Sequence, residues 1–204
     1  MATVATPPDR HRSNPFATRH TRPGAVPPLD QTGAPLDLGS LVDAVERHGR
    51  VAIIGPHGTG KSTLLAGLAG RLAAAGRGVE LLRVYRRRDL VRLLAALRPG
   101  PADAVLLVDG WEQLGRPGST IAAAAARLAG RRLVVTSHGA TWFPVAWNTG
   151  GTLPLLTAIV ARLPAHGAVI TPSDLAESFA LSGGNLRDAL GDLYDRFELR
   201  SRRS

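Results

Sequence analysis

The sequence predicts an α/β fold: a parallel sheet wrapped by helices in three layers, followed by a small all-α unit at the C-terminal end. Three observations predict it. A short apolar strand, Val51 to Ile54, runs into a glycine-rich turn and then a helix of regular apolar period. Short β-branched runs then alternate with helical stretches as far as Trp147, the pattern of strands joined by crossover helices. Beyond Gly150 and Gly151, which mark a hinge, the pattern turns to helices alone.

The first strand opens the stretch around which the chain is organised. Gly55, Pro56, His57, Gly58, Thr59, Gly60, Lys61 and Ser62, followed by Thr63, form G-x-x-x-x-G-K-S, the phosphate-binding P-loop. Glycines let the backbone wrap so that N–H groups point inward at phosphate oxygens, and the next helix adds its positive end. Lys61 suits the β- and γ-phosphates, and the Ser62 hydroxyl suits Mg²⁺. Of 25 Lys and Arg residues, Lys61 is the single lysine. Arginine serves wherever a generic cation suffices, and a compact ammonium is kept where a planar guanidinium would not fit the loop.

Composition sets outer bounds. With 204 residues the chain is one domain, or one domain with an appendage. The 44% hydrophobic content allows a sizeable core, and the 4% aromatic share makes that core Leu, Val, Ile and Ala. No Cys is present, which excludes disulfides, thiolate metal sites and Cys nucleophiles. No apolar run approaches the roughly 20 residues of a membrane span, and the N-terminus lacks a secretory h-region. A cytoplasmic protein is the expectation. The net charge of +9 gathers in the first 22 residues and in the tail from Arg196 to Arg203, so nucleic-acid contact is an option without an interleaved aromatic stacking surface to support it.

In order, residues 1–36 form a Pro- and Arg-rich segment, with 1–12 predicted disordered. Asn14 to Leu29 carries Phe16 as an apolar anchor and is expected to lie across the domain and line a nucleotide's base; a Pro-rich linker is the plainer alternative. The nucleotide-binding domain is expected over 37–149. Ser40 to Asp43 reads as a capping box opening a helix that Gly49 ends. After the P-loop, Lys61 to Ala75 is a helix with Leu64, Leu65, Leu68 and Leu72 on one face. Val79 to Tyr85 is a second strand, Arg86 to Arg88 an Arg-rich turn, and Asp89 to Leu97 a helix. Pro99, Gly100 and Pro101 break the chain. Ala104 to Val108 is a buried strand ending in Asp109, the Walker B pattern that holds Mg²⁺ through water.

Gly110 stands where hydrolases usually carry a water-polarising Glu, and Glu112 is near enough to substitute. Ile121 to Leu128 is an Ala-rich helix. Leu133 to Val135 is a fourth strand ending in Thr136, Ser137 and His138; Thr136 or Ser137 is the candidate to reach a γ-phosphate, with His138 a lesser one. Ala140 to Trp147 is an aromatic-rich last strand. Residues 150–204 form a helical lid and basic tail: Leu153 to Leu163, a helix opened by Thr171-Pro172-Ser173-Asp174 and running to Leu181, and a helix capped by Asn185. Its apolar face is Leu186, Ala189, Leu190, Leu193, Tyr194 and Phe197.

The Walker pair, a polar residue ending the fourth strand and a lid bearing Gly184-Asn185-Leu186-Arg187 together resemble the AAA+ class of P-loop ATPases over residues 38–198. The resemblance implies a P-loop NTPase three-layer sandwich with a small C-terminal lid, ATP and Mg²⁺ as ligands, Lys61 and Ser62 as Walker A, Asp109 as Walker B, Thr136 or Ser137 as sensor 1 and Arg187 as sensor 2. The chain departs from the pattern at Gly110, and the arginine finger of such rings has only Arg131, Arg132 and Arg116 as candidates. The expected function is a slow ATP hydrolase or nucleotide-controlled switch, with a protein partner and self-association as open options. Two alternatives stand beside it: a non-hydrolysing ATP-dependent regulator that recruits a partner, DNA-bound or not, and a small-molecule or nucleoside kinase. If the N-terminal segment lines the base, deleting residues 1–28 will weaken ATP binding in an equilibrium titration; an unchanged affinity rejects that placement.

Overall fold

The computed structural model describes residues 14–98, 103–164 and 169–202. The expected disorder of 1–12 and the break at Pro99 to Pro101 lie outside those residues. Five strands, β1 (Arg50–Ile54), β2 (Val79–Arg83), β3 (Val105–Asp109), β4 (Arg132–Ser137) and β5 (Val145–Asn148), form one sheet in the order β2-β3-β4-β1-β5. Every neighbouring pair is parallel. Inner strands β1, β3 and β4 are buried on both faces, which is why they read as continuous apolar runs; edge strands β2 and β5 are half open to water.

Strand alternation sorts the core into two layers. On one face Ala52, Leu106, Val108, Leu133 and Val135 pack under α3 (Leu90–Ala96) and α4 (Gly115–Leu128). On the other, Val51, Ile53, Val105, Leu107 and Val134 pack under α1 (Gly39–His48) and α2 (Lys61–Ala74). All four leucines of the predicted α2 stripe are buried there. Burying one such side chain contributes about 1.5–3 kcal/mol, so this face alone fixes α2, and with it the loop that precedes it. This is the three-layer P-loop sandwich that the sequence predicts. No helix of the described residues is long and apolar enough to cross a membrane.

Boundaries differ where local chemistry outweighs pattern. Helix α1 opens at Gly39 rather than on a Ser40 capping box. Asp37 Oδ1 accepts the Gly39 N–H at 2.8 Å and Ser40 Oγ donates to the Asp37 carbonyl at 3.1 Å, so the turn is closed one step earlier. Helix α4 starts at Gly115, six positions before the predicted Ile121, because Pro117 falls in its first turn, where its missing N–H costs no bond. The last strand is confined to Val145–Asn148.

The lid comprises α5 (Leu153–Val160), α6 (Pro172–Leu181) and α7 (Leu186–Ser201). Both predicted caps form. Thr171 and Asp174 exchange bonds in a capping box, and Asn185 Oδ1 accepts the N–H groups of Arg187 and Asp188. Helices α6 and α7 are clasped by Asp174, whose carboxylate accepts from Arg200 at 2.7 Å on both oxygens and from Arg196 at 3.2 Å. The N-terminal segment is tied to the same unit. Buried Asn14 donates to Glu198 Oε1 at 2.8 Å and to the Tyr194 carbonyl, while Phe16 sits in the lid core 6.3 Å from the Phe197 ring. From there the chain crosses to the P-loop helix, where Pro28 lies so close to Gly67 that a β-carbon would stand 2.3 Å from it.

Hydrogen bonds from Arg200, and then from Thr171, hold the Asp174 carboxyl well below the ordinary carboxylate range. Its folded value lies below its unfolded one, so the stability it contributes is present above about pH 4 and is lost as pH falls through the folded value. Asp174→Asn is expected to cost about 2–3 kcal/mol at pH 7 through the lost charge-assisted bonds and cap. The gap to wild type should close in strong acid, as read by thermal melting across pH.

Candidate functional site

A cleft of about 940 Å³ opens at the C-terminal ends of the strands. Its lining joins the P-loop from His57 to Thr63 with the ends of β2, β3, β4 and β5, the lid helices α5 and α7, and the N-terminal segment from Phe16 to Gln31. This is where open α/β sheets bind ligands, because loops there diverge while the strands hold their bases rigid.

The P-loop is built around a buried charge. Lys61 is only 8% exposed, and its ammonium donates to the carbonyls of Gly55 and Pro56 at 2.6 Å each. Burial lowers its pKa first; Glu112 and Asp109 oppose that shift, and Arg187 adds to it. Gly55 and Pro56 therefore form the floor beneath Lys61 and do not line the cleft. Thr59 Oγ1 donates to the Pro56 carbonyl at 2.8 Å and lies 2.7 Å from Thr149 Oγ1, which pins the loop to the end of β5. Gly58 has φ +71°, and a β-carbon there would fall 1.6 Å from Asn185 Oδ1, so the lid's cap residue rests directly on the loop. Ser62 and Thr63 line the cleft from the first turn of α2.

Asp109, Thr136 and Gly110 form one bonded unit. Thr136 Oγ1 donates to Asp109 Oδ1 at 2.7 Å and accepts the Gly110 N–H at 3.0 Å. The other carboxylate oxygen has Arg83 Nε at 3.9 Å, beyond hydrogen-bond length. Of the two residues expected at the end of β4, Thr136 lines the cleft and Ser137 does not; Ser137 Oγ accepts the Gly139 N–H at 3.4 Å on the opposite side of the strand.

Glu112 is aimed by its neighbours. It lies in a short 3₁₀ turn, Trp111–Leu114, of which Trp111 and Leu114 are both buried. Trp111 meets Phe143 edge-on at 5.5 Å. Anchoring the turn on those two side chains leaves Glu112 facing the cleft. His138 Nε2 lies 2.9 Å from its Oε1, while Oε2 is buried with no hydrogen-bond partner among the described residues. Gly110, by contrast, has φ +89°, and a β-carbon there would stand 2.5 Å from the Val84 carbonyl oxygen. The backbone that bonds Thr136 therefore leaves no room for a side chain directly after Asp109.

Arg187 lines the cleft from the first turn of α7, with no side-chain partner among the described residues. The other candidate arginines lie elsewhere. Arg131 pairs with Glu80 at 3.4 Å and Arg132 with Glu46, both at the opposite end of the sheet, while Arg116 is exposed at the start of α4. Arg86 to Arg88 do not line the cleft; their turn is closed by Asp89 Oδ2, which accepts the N–H groups of Tyr85 and Arg86. Sequence reasoning gave His138 little weight and did not raise Arg83, Thr149 or Asn185 as site residues. A signal for His138 was available: it directly follows the strand that ends in Thr136 and Ser137, beside the P-loop strand.

No protein-family model matches the chain. Over 51 residues, 23% of the chain, it is 68% identical to the hemin import ATP-binding protein HmuV of Nocardia farcinica, and the match spans 18% of that protein's length. Among solved structures, C. elegans PCH-2 aligns with 81% of this chain and 66% of its own, at 12% identity and a TM-score of 0.41.

Gly110→Glu, which would supply the acid where hydrolases usually carry it, is expected to cost about 1–3 kcal/mol in backbone strain, with further loss from the clash at Val84. Calorimetry should show a lower melting temperature, and no phosphate release should be gained.

Proposed function

We propose that the chain is an ATP-binding, AAA+-like P-loop NTPase that works with Mg²⁺ as a slow hydrolase or nucleotide-controlled switch. The observation that carries this reading is the convergence of Lys61, Asp109, Thr136, Glu112 and Arg187 on one cleft whose far end is apolar. The phosphates would take the P-loop N–H groups and the Lys61 ammonium, which would leave the Gly55 and Pro56 carbonyls. The base would lie between Val26 to Leu29 of the N-terminal segment and Leu155, Ile159, Leu190 and Tyr194 of the lid.

The residues present fit a magnesium ion. Ser62 and Asp109 both line the cleft, and Thr136 holds one Asp109 oxygen in place while the other has Arg83 Nε 3.9 Å away. When bound, the ion offsets charge on the β- and γ-phosphates. Glu112 would accept a proton from a water as its oxygen bonds to the γ-phosphorus, while the bond to the β–γ bridging oxygen breaks and ADP departs. Arg187, on the lid, would stabilise the transferred phosphoryl and link lid position to nucleotide state. A cytoplasmic setting fits ATP supply, and a protein partner, a second copy, or a nucleic acid on the basic segments would read that state.

One feature favours the non-hydrolysing regulator as a second reading. The acid stands two residues past its usual place, at Glu112, on a turn that Gly110 makes necessary. Phosphate release from Mg-ATP decides between the two. Under the hydrolase reading, wild type turns over, Lys61→Ala loses nucleotide binding and turnover, and Glu112→Gln binds ATP but loses about 10²-fold or more in rate. Saturable ATP binding without release above the Lys61→Ala blank selects the regulator.

A further inference from the structure

Lys61, His57, His138 and Glu112 come from the P-loop and α2, the end of β4 and the turn after β3, and they meet at one point of the cleft. His138 Nδ1 lies 3.3 Å from Lys61 Nζ, and its Nε2 lies 2.9 Å from Glu112 Oε1. An ammonium can only donate, so Nδ1 accepts. The ring's one hydrogen then sits on Nε2 and donates to the carboxylate. The two contacts together select a single neutral tautomer. His57 covers one face of that ring, with centroids 3.4 Å apart and planes inclined by 31°.

We propose that His138 is a positioning residue whose neutral ring holds Glu112 toward the cleft and holds the Lys61 ammonium on the loop carbonyls until a phosphate draws it away. The inference deepens the hydrolase reading and rests on it. Glu112 has few other restraints. Gln113 Nε2 reaches Oε1 at only 3.3 Å from the adjacent residue, and Oε2 has no partner among the described residues. Oε2 is enclosed, so the His138 contact at Oε1 is the main hydrogen bond that fixes how the carboxylate sits at the cleft. A phosphate entering the loop competes for Lys61; once the ammonium moves, Nδ1 loses its donor while Nε2 keeps Glu112.

The surroundings favour the neutral ring. Burial lowers the His138 pKa first, Lys61 and His57 push the same way, and Glu112 and the Gly55 carbonyl oppose them. Asp109 and Arg187 act one step further out, through Lys61. A proton on Nδ1 would set two cations face to face across 3.3 Å, so acid should release Lys61 from the ring.

The test uses the full chain with His138→Ala and His138→Gln. A Gln amide can donate to Glu112 and accept from Lys61 but cannot ionise. His138→Ala is expected to lower kcat at least about tenfold while changing the ATP Kd by less than about threefold, the mark of lost positioning rather than lost binding. His138→Gln should restore most of the rate and flatten the acid limb of the pH–rate profile. An independent readout is the His138 imidazole resonance in nucleotide-free protein, assigned by its loss in the variants. It should titrate below the ordinary value of about 6.5, upward of wild type in Lys61→Ala and further down in Glu112→Gln. Unchanged kcat in His138→Ala, or a resonance indifferent to both neighbours, overturns the proposal. If wild type binds Mg-ATP and releases no phosphate, the hydrolase reading falls by itself, and the titration still decides whether the ring joins Glu112 to Lys61.

Discussion

A buried ammonium with no counter-ion in direct contact is costly, and the cleft is arranged around paying that cost at Lys61. An isolated cation taken out of water loses several kcal/mol of solvation unless donors are matched by acceptors. Here two loop carbonyls and one imidazole nitrogen take the three N–H groups, and the carboxylates of Glu112 and Asp109 supply an opposing field. Each acceptor comes from a different constraint. The carbonyls exist because glycine lets the loop curl inward, and the imidazole is there because β4 lies directly beside β1. The same arrangement makes the site responsive: a phosphate offers Lys61 a stronger, charged partner.

Around that charge the polar groups are shared rather than duplicated. The Thr136 hydroxyl fixes Asp109 and at the same time fixes the Gly110 N–H. That second bond goes with a left-handed Gly110 under the Val84 carbonyl, so the first carboxylate after Asp109 is that of Glu112. At Gly110 the turn, its buried Trp111 anchor and the position of the Glu112 carboxylate therefore depend on one another.

The lid and the N-terminal segment act as one cover. Asn14 and Phe16 bind the segment to α7, Pro28 seats it on α2, and Asn185 touches the loop itself. A ligand that moved the P-loop would therefore press on the same helix that carries Arg187. The Asp174 clasp between α6 and α7 keeps that cover stiff, since its bonds to Arg196 and Arg200 are charge-assisted.

By itself the sequence determined the parallel sheet, the P-loop, both lid caps and the α2 stripe, because each is written in local terms: a run of β-branched residues, a glycine spacing, a Thr-Pro-x-Asp, leucines at helical period. Asp109 and Lys61 were legible for the same reason, being fixed relative to strand and helix ends. Helix starts were less so, since Asp37 and Pro117 act through single hydrogen bonds that periodicity does not register. Tertiary contacts settled the choice among neighbours: Thr136 rather than Ser137 in the cleft, Glu112 turned inward, and Arg187 in the cleft without a side-chain partner among the described residues while Arg131 and Arg132 are paired at the far end of the sheet. The contacts of the His138 ring with Lys61 and Glu112 belong here too. These choices depend on which strand lies beside which and on which face a side chain leaves it, and strand order β2-β3-β4-β1-β5 is a long-range property that no local spacing encodes.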